Sequence, residues 1–91
     1  MKKKKHRIQT LKTFPNVSEE PDTLKGKWHS EVFKNDQPIT LELGCGKGDF
    51  IVELARMYPQ RNFVGVDLKG ARLFIGAQKG LTQELDNLFF I

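Results

Sequence analysis

An α/β domain on a parallel sheet, one half of a doubly wound fold, is what this sequence predicts. Three observations carry that expectation. The apolar run Ile39 to Leu43 leads straight into Gly44-Cys45-Gly46-Lys47-Gly48; a second apolar run, Asn62 to Val66, ends in Asp67; and two stretches of helical periodicity alternate with them. Strand, helix, strand, helix, strand is the order that right-handed crossovers turn into a parallel sheet.

Each element has its own signal. Asn35-Asp36-Gln37-Pro38 is a turn, after which Ile39 opens the first strand. Past the glycines, Phe50, Ile51, Leu54, Ala55 and Tyr58 recur at helical spacing and make one apolar stripe, which Pro59 ends. Asn62 to Leu68 reads as the second strand, nearly continuous in apolar character, as a strand buried on both faces should be. Ala71, Leu73, Phe74, Ala77, Leu81 and Leu85 mark a second amphipathic helix. Its two glycines, Gly76 and Gly80, each cost about 1 kcal/mol against alanine, which points to close approach by a neighbour. The last residues, Leu88 to Ile91, form a further β-prone run with no turn or cap behind it, so the chain reads as the N-terminal part of a longer protein.

Upstream, residues 1–24 read as a basic, extended arm and residues 25–91 as the domain proper. The formal net charge of +4 belongs to the arm: Lys2, Lys3, Lys4, Lys5 and Arg7 are five of fifteen cations, leaving ten against eleven acids. Such an arm either neutralises nucleic-acid phosphates or is simply a solvated terminus. Between Thr23 and Val32 a short helix is expected, with Trp28, Val32 and Phe33 on one face and Trp28 as a packing anchor. No run is apolar and long enough for a signal peptide or membrane span, so the expected location is the cytoplasm. A single cysteine, Cys45, excludes an internal disulfide and a paired redox site, and neither His6 nor His29 has a partner at metal-ligand spacing. Cys45 reads as a small residue packed between glycines.

The chemistry lies where the first strand meets the glycines. Gly44, Gly46 and Gly48 leave almost no side chain there, so a ligand can approach the backbone, and Asp67 stands where a carboxylate accepts hydrogen bonds from ribose hydroxyls. A dinucleotide fingerprint counted from Gly44 needs glycine at position 49, which is Asp49. An acid in the first helical turn repels a pyrophosphate. S-adenosylmethionine has no phosphate and carries two cationic groups, which Glu42 and Asp49 suit electrostatically; Asp49 reads equally well as an ordinary helix cap. The competing readings are a nicotinamide- or flavin-dependent oxidoreductase, and a noncatalytic RNA-binding module in which the glycines only make a turn. Lys47, Lys69, Arg72 and Lys79 read as exposed charges on helix faces, with phosphate contact the alternative.

Glu42-Leu-Gly-Cys-Gly-Lys-Gly-Asp-Phe, followed by Phe63-Val-Gly-Val-Asp-Leu-Lys-Gly-Ala-Arg, resembles the bacterial tRNA (guanine-N7)-methyltransferases, and Lys25-Gly-Lys-Trp-His-Ser-Glu-Val-Phe is similar to that family's lead-in. The resemblance covers residues 25–91. It implies the N-terminal half of a Rossmann-like class I methyltransferase fold, S-adenosylmethionine as methyl donor, and tRNA as partner, with no metal and no membrane. It implies Glu42 and Asp67 as cofactor-binding acids and Gly44, Gly46 and Gly48 as the loop against the cofactor. Asp67 stands where many members carry glutamate, which keeps the carboxylate and shortens its reach. The family's further cofactor acid and its Pro-Asp-Pro-type catalytic segment would follow Ile91, so no catalytic residue is expected in this chain.

Overall fold

The computed structural model describes residues 13–91. The lysine-rich stretch and His6 lie outside the described residues. The expected alternation is present: β1 (Ile39–Leu43), α1 (Asp49–Met57), β2 (Asn62–Val66), α2 (Gly70–Thr82) and β3 (Leu88–Phe90). The three strands form one parallel sheet in the order β1-β2-β3, with Ile39 opposite Asn62, Leu43 opposite Val66, and Gly65 opposite Phe90. Side chains alternate across a strand. Thr40, Phe63 and Leu88 therefore share one face, and Leu41, Val64 and Phe89 the other.

The helices cover the first face. Ile51, Val52 and Ala55 of α1 and Leu73 and Ala77 of α2 close over Phe63, Leu88 and Phe90, with Cys45 at the edge of the same core. The expected stripe on α1 is rotated by part of a turn: Val52 is buried, whereas Phe50 and Tyr58 are 65% and 45% exposed. The two glycines of α2 do meet neighbours. A Cβ at Gly80 would come within 3.2 Å of Leu88, and one at Gly76 within 3.0 Å of Phe90.

On the second face, Trp28 meets Phe89 edge to face at 5.6 Å and tilts against Phe33 at 6.3 Å, as its reading as an anchor implies. The short helix there is a wide, π-type turn over Trp28–Phe33, separated from a 3₁₀ turn over Pro21–Leu24 by Gly26, whose φ of +75° breaks any continuous helix. This segment covers β3 and leaves Leu41 and Leu43 of β1 55% and 75% exposed, beside a strand edge with no neighbour in the sheet among the described residues. The opposite edge is closed by the lead-in. Phe90 N–H donates to Asn16 O at 2.9 Å, Ser18 N–H donates to Phe90 O at 3.0 Å, and Phe14 stacks on Phe74 at 5.4 Å.

One buried polar side chain ties the last strand to the first helix. Asn87, 4% exposed, has its Nδ2 at 3.0 Å from Ala55 O, 3.1 Å from Tyr58 O and 2.9 Å from Arg61 O, just where α1 ends and Pro59 leaves Ala55 O without a helical donor. Asn87→Ala removes this donor from the buried Ala55 O and from Arg61 O, while Tyr58 O keeps Arg61 N–H, and is expected to cost about 1–3 kcal/mol. A urea titration checks it; a midpoint equal to the parent's would mean that other donors serve these carbonyls.

Candidate functional site

Beyond Leu43 the chain turns on three glycines, all in the left-handed region: φ is +69° at Gly44, +58° at Gly46 and +76° at Gly48. L side chains are strained there, so the turn needs glycine for conformation as well as for space. The space differs among the three. A Cβ at Gly44 or Gly46 would have nothing within 4 Å, whereas one at Gly48 would lie 3.0 Å from Gly76 Cα. Gly44 and Gly46 thus form an open cradle, and Gly48 packs inward against α2. The packing glycine sits one residue before the position a dinucleotide fingerprint reserves for it.

The loop is held to β2 by two bonds. Cys45 N–H donates to Val66 O at 2.9 Å, and Gly46 N–H donates to Asp67 Oδ2 at 2.8 Å. The other carboxylate oxygen, Oδ1, accepts from Lys69 N–H at 2.8 Å. These donors, Lys69 N–H first, hold the Asp67 carboxyl below the usual carboxylate range, so it is ionised throughout the neutral range. Each oxygen retains a lone pair for a further donor. Asp67 and the loop, 21 residues apart in sequence, are brought into direct contact at the carboxyl ends of β1 and β2.

Glu42 occupies the register position opposite Gly65 and is half-buried, which raises its carboxyl above the usual value. Its charge reaches Cys45. Burial, then the charges of Asp67 and Glu42, push the Cys45 thiol up to about 11, which removes it as a thiolate nucleophile at neutral pH. Asp49 is not a side-chain cap of α1. It is exposed and forms an ion pair with Lys79 of α2.

A cleft of about 370 Å³ opens at this point, lined by Gly44, Val66, Asp67, Leu68, Lys69 and Arg72. Leu68 is fully exposed at its lip. Sequence reasoning grouped Leu68 with the second strand and treated Lys69 and Arg72 as surface charge; their share in the cleft follows from the turn after Asp67, for which the sequence signal is only Gly70 at the start of α2. Among the described residues no group of three or more His, Cys, Asp or Glu side chains is placed to hold a metal ion, and no helix is long and apolar enough to cross a membrane.

Residues 36–91 match a family model described as a putative methyltransferase. Proteins named tRNA (guanine-N(7)-)-methyltransferase are similar to the chain: one from Bacteroides fragilis is 44% identical over 99% of this chain and 39% of its own length. A second, from Christiangramia forsetii, is 60% identical over 75% of this chain and 30% of its own length. A third, from Clostridium acetobutylicum, is 46% identical over 75% of this chain and 32% of its own length. The chain thus spans between 30% and 39% of the length of these relatives.

Proposed function

The chain belongs to the methyltransferase family that its residues 36–91 match, and from that premise we propose that the whole protein of which it forms part transfers a methyl group from S-adenosylmethionine to N7 of a guanine in the variable loop of tRNA. The observation that carries the cofactor half of this reading is the contact between Asp67 Oδ2 and Gly46 N–H at 2.8 Å. It sets an ionised carboxylate against a stretch of main chain with no side chain on its open side, which fits an adenosine whose ribose hydroxyls donate to Asp67. The cradle tests the fit. A Cβ at Gly44 or Gly46 would project into the free space, and no basic side chain is needed to neutralise a phosphate.

In this reading Asp67 orients the ribose, Gly44 and Gly46 admit the cofactor to the backbone, Glu42 supplies negative charge at the base of the loop, and Gly48 anchors the loop to α2. Leu68 offers an apolar surface at the lip for the base. When bound, S-adenosylmethionine supplies a methyl group activated by its sulfonium. Guanine N7 has an in-plane lone pair at neutral pH, so no residue here has to remove a proton to expose the nucleophile. The chain's part in catalysis is alignment, which makes the methyl transfer effectively unimolecular. The acid that stabilises the charge developing on guanine lies outside this chain, as do the remaining strands. The edge of β1, unpaired among the described residues, and the exposed Leu41 and Leu43 support that view, because parallel sheets are covered on both faces.

Calorimetric titration of the full-length protein tests the proposal. One site for S-adenosylhomocysteine and none for NAD is the expected result; tight binding of NAD with no response to S-adenosylhomocysteine would overturn it.

A further inference from the structure

We infer that Gly76 and Phe90 are positioning residues for the cofactor loop, the ring of Phe90 and the bare backbone of α2 at Gly76 together setting where the Lys47–Gly48 peptide rests. The inference rests on the methyltransferase reading only for its binding assay; its structural basis is independent of the ligand. Phe90 is completely buried, and glycines from three different elements converge on its ring. A Cβ at Gly65 of β2 would lie 2.9 Å from Phe90 Cδ1 and 3.0 Å from Cys45 Sγ. A Cβ at Gly76 would lie 3.0 Å from Phe90 Cε1 and Cζ and 3.2 Å from Lys47 O. A Cβ at Gly48 would lie 3.0 Å from Gly76 Cα and 3.5 Å from the same two ring atoms.

These contacts define a socket with the loop as one wall. The ring cannot retreat from α2, because Gly65 backs it on the sheet side, and the sheet is fixed there by Ile91 N–H donating to Gly65 O at 2.9 Å. The neighbour free to give way is the loop, whose opposite side is open at Gly44 and Gly46. A methyl group at position 76 therefore displaces Lys47 O. That displacement passes along the short loop to Gly46, whose N–H is held by Asp67. Packed interiors transmit such shifts because they leave no void to absorb them.

The test compares Gly76→Ala, Phe90→Leu and the double variant in the full-length protein. Gly76→Ala is expected to weaken S-adenosylhomocysteine binding about tenfold, to leave tRNA affinity unchanged, and to move the amide resonances of Gly46, Lys47 and Gly48. Leucine lacks the ring atoms that an added methyl would meet, so the double variant is expected to regain most of the affinity and to return the resonances toward the parent's. Unchanged resonances in Gly76→Ala, or a double variant bound no better than the single one, would overturn the inference. Should Gly76→Ala fail to fold, Phe90→Leu alone answers: it slackens the socket and must move the same three resonances, and if they stay put the loop is not seated on the ring. A parent protein that binds no S-adenosylhomocysteine counts against the methyltransferase reading, while the resonances, which need no ligand, still decide this one.

Discussion

Asp67→Ala in the full-length protein is expected to raise the dissociation constant for S-adenosylhomocysteine by about ten- to a hundredfold while leaving RNA affinity unchanged. Two losses combine. The carboxylate that would receive the ribose hydroxyls is gone, and charge-assisted hydrogen bonds are about twice as strong as neutral ones. The Gly46 N–H loses the acceptor that holds the loop against β2, as does Lys69 N–H at the start of the turn into α2. Asp67→Asn separates the two contributions. One oxygen remains to accept from Gly46 N–H or Lys69 N–H, but the amide NH2 is a donor facing a donor at the other, so an intermediate loss is expected. Unchanged cofactor affinity in Asp67→Ala would remove the carboxylate from the site. Equal losses of RNA and cofactor affinity would favour a binding module whose glycines serve only as a turn.

The strands, the helices and the placing of the loop and Asp67 at the same end of the sheet were legible because each has a local signature, whereas the bond from Gly46 N–H to Asp67 was not. Apolar runs bounded by Pro38, the glycines and Pro59 give the elements, and the order of elements gives the sheet. Gly76 and Gly80 were informative for the same reason: a glycine inside an amphipathic helix is costly, and close packing is what offsets it. What escaped the sequence depends on partners far along the chain. The buried face of α1 includes Val52 and omits Phe50, because the rotation of a helix depends on the core it packs against as well as on its own periodicity. Asp49 read equally well as a helix cap or as part of the cofactor's electrostatic surroundings; its side chain makes no cap, and its ion pair with Lys79, 30 residues away, has no local signature. Asn16, whose Nδ2 donates to Ala77 O at 3.1 Å, and Asn87 carry no mark in the sequence that distinguishes them from turn residues. A single polar residue becomes structural only when the fold buries it.

Phe90→Ala is expected to cost about 4 kcal/mol, within the usual range for emptying a core phenylalanine site, and so to leave the chain largely unfolded at mild urea concentrations. The expectation does not fall to the low end of that range because of what lines the site. Cavities are cheapest where surrounding side chains can rotate inward, but here Gly65 and Gly76 present backbone, which the sheet and α2 hold in place. Phe90→Leu, which keeps most of the volume, should cost about 1–2 kcal/mol. A urea titration of the parent and both variants measures the difference; a loss below about 1 kcal/mol for Phe90→Ala would mean that the walls do close, and that the ring is not what fixes them. The glycines that keep side chains off the loop therefore impose a requirement on the core beneath it. With three Cβ positions empty around one point, only a flat, rigid side chain from β3 fills the space, and the shape of the cofactor loop and the identity of residue 90 are one packing problem.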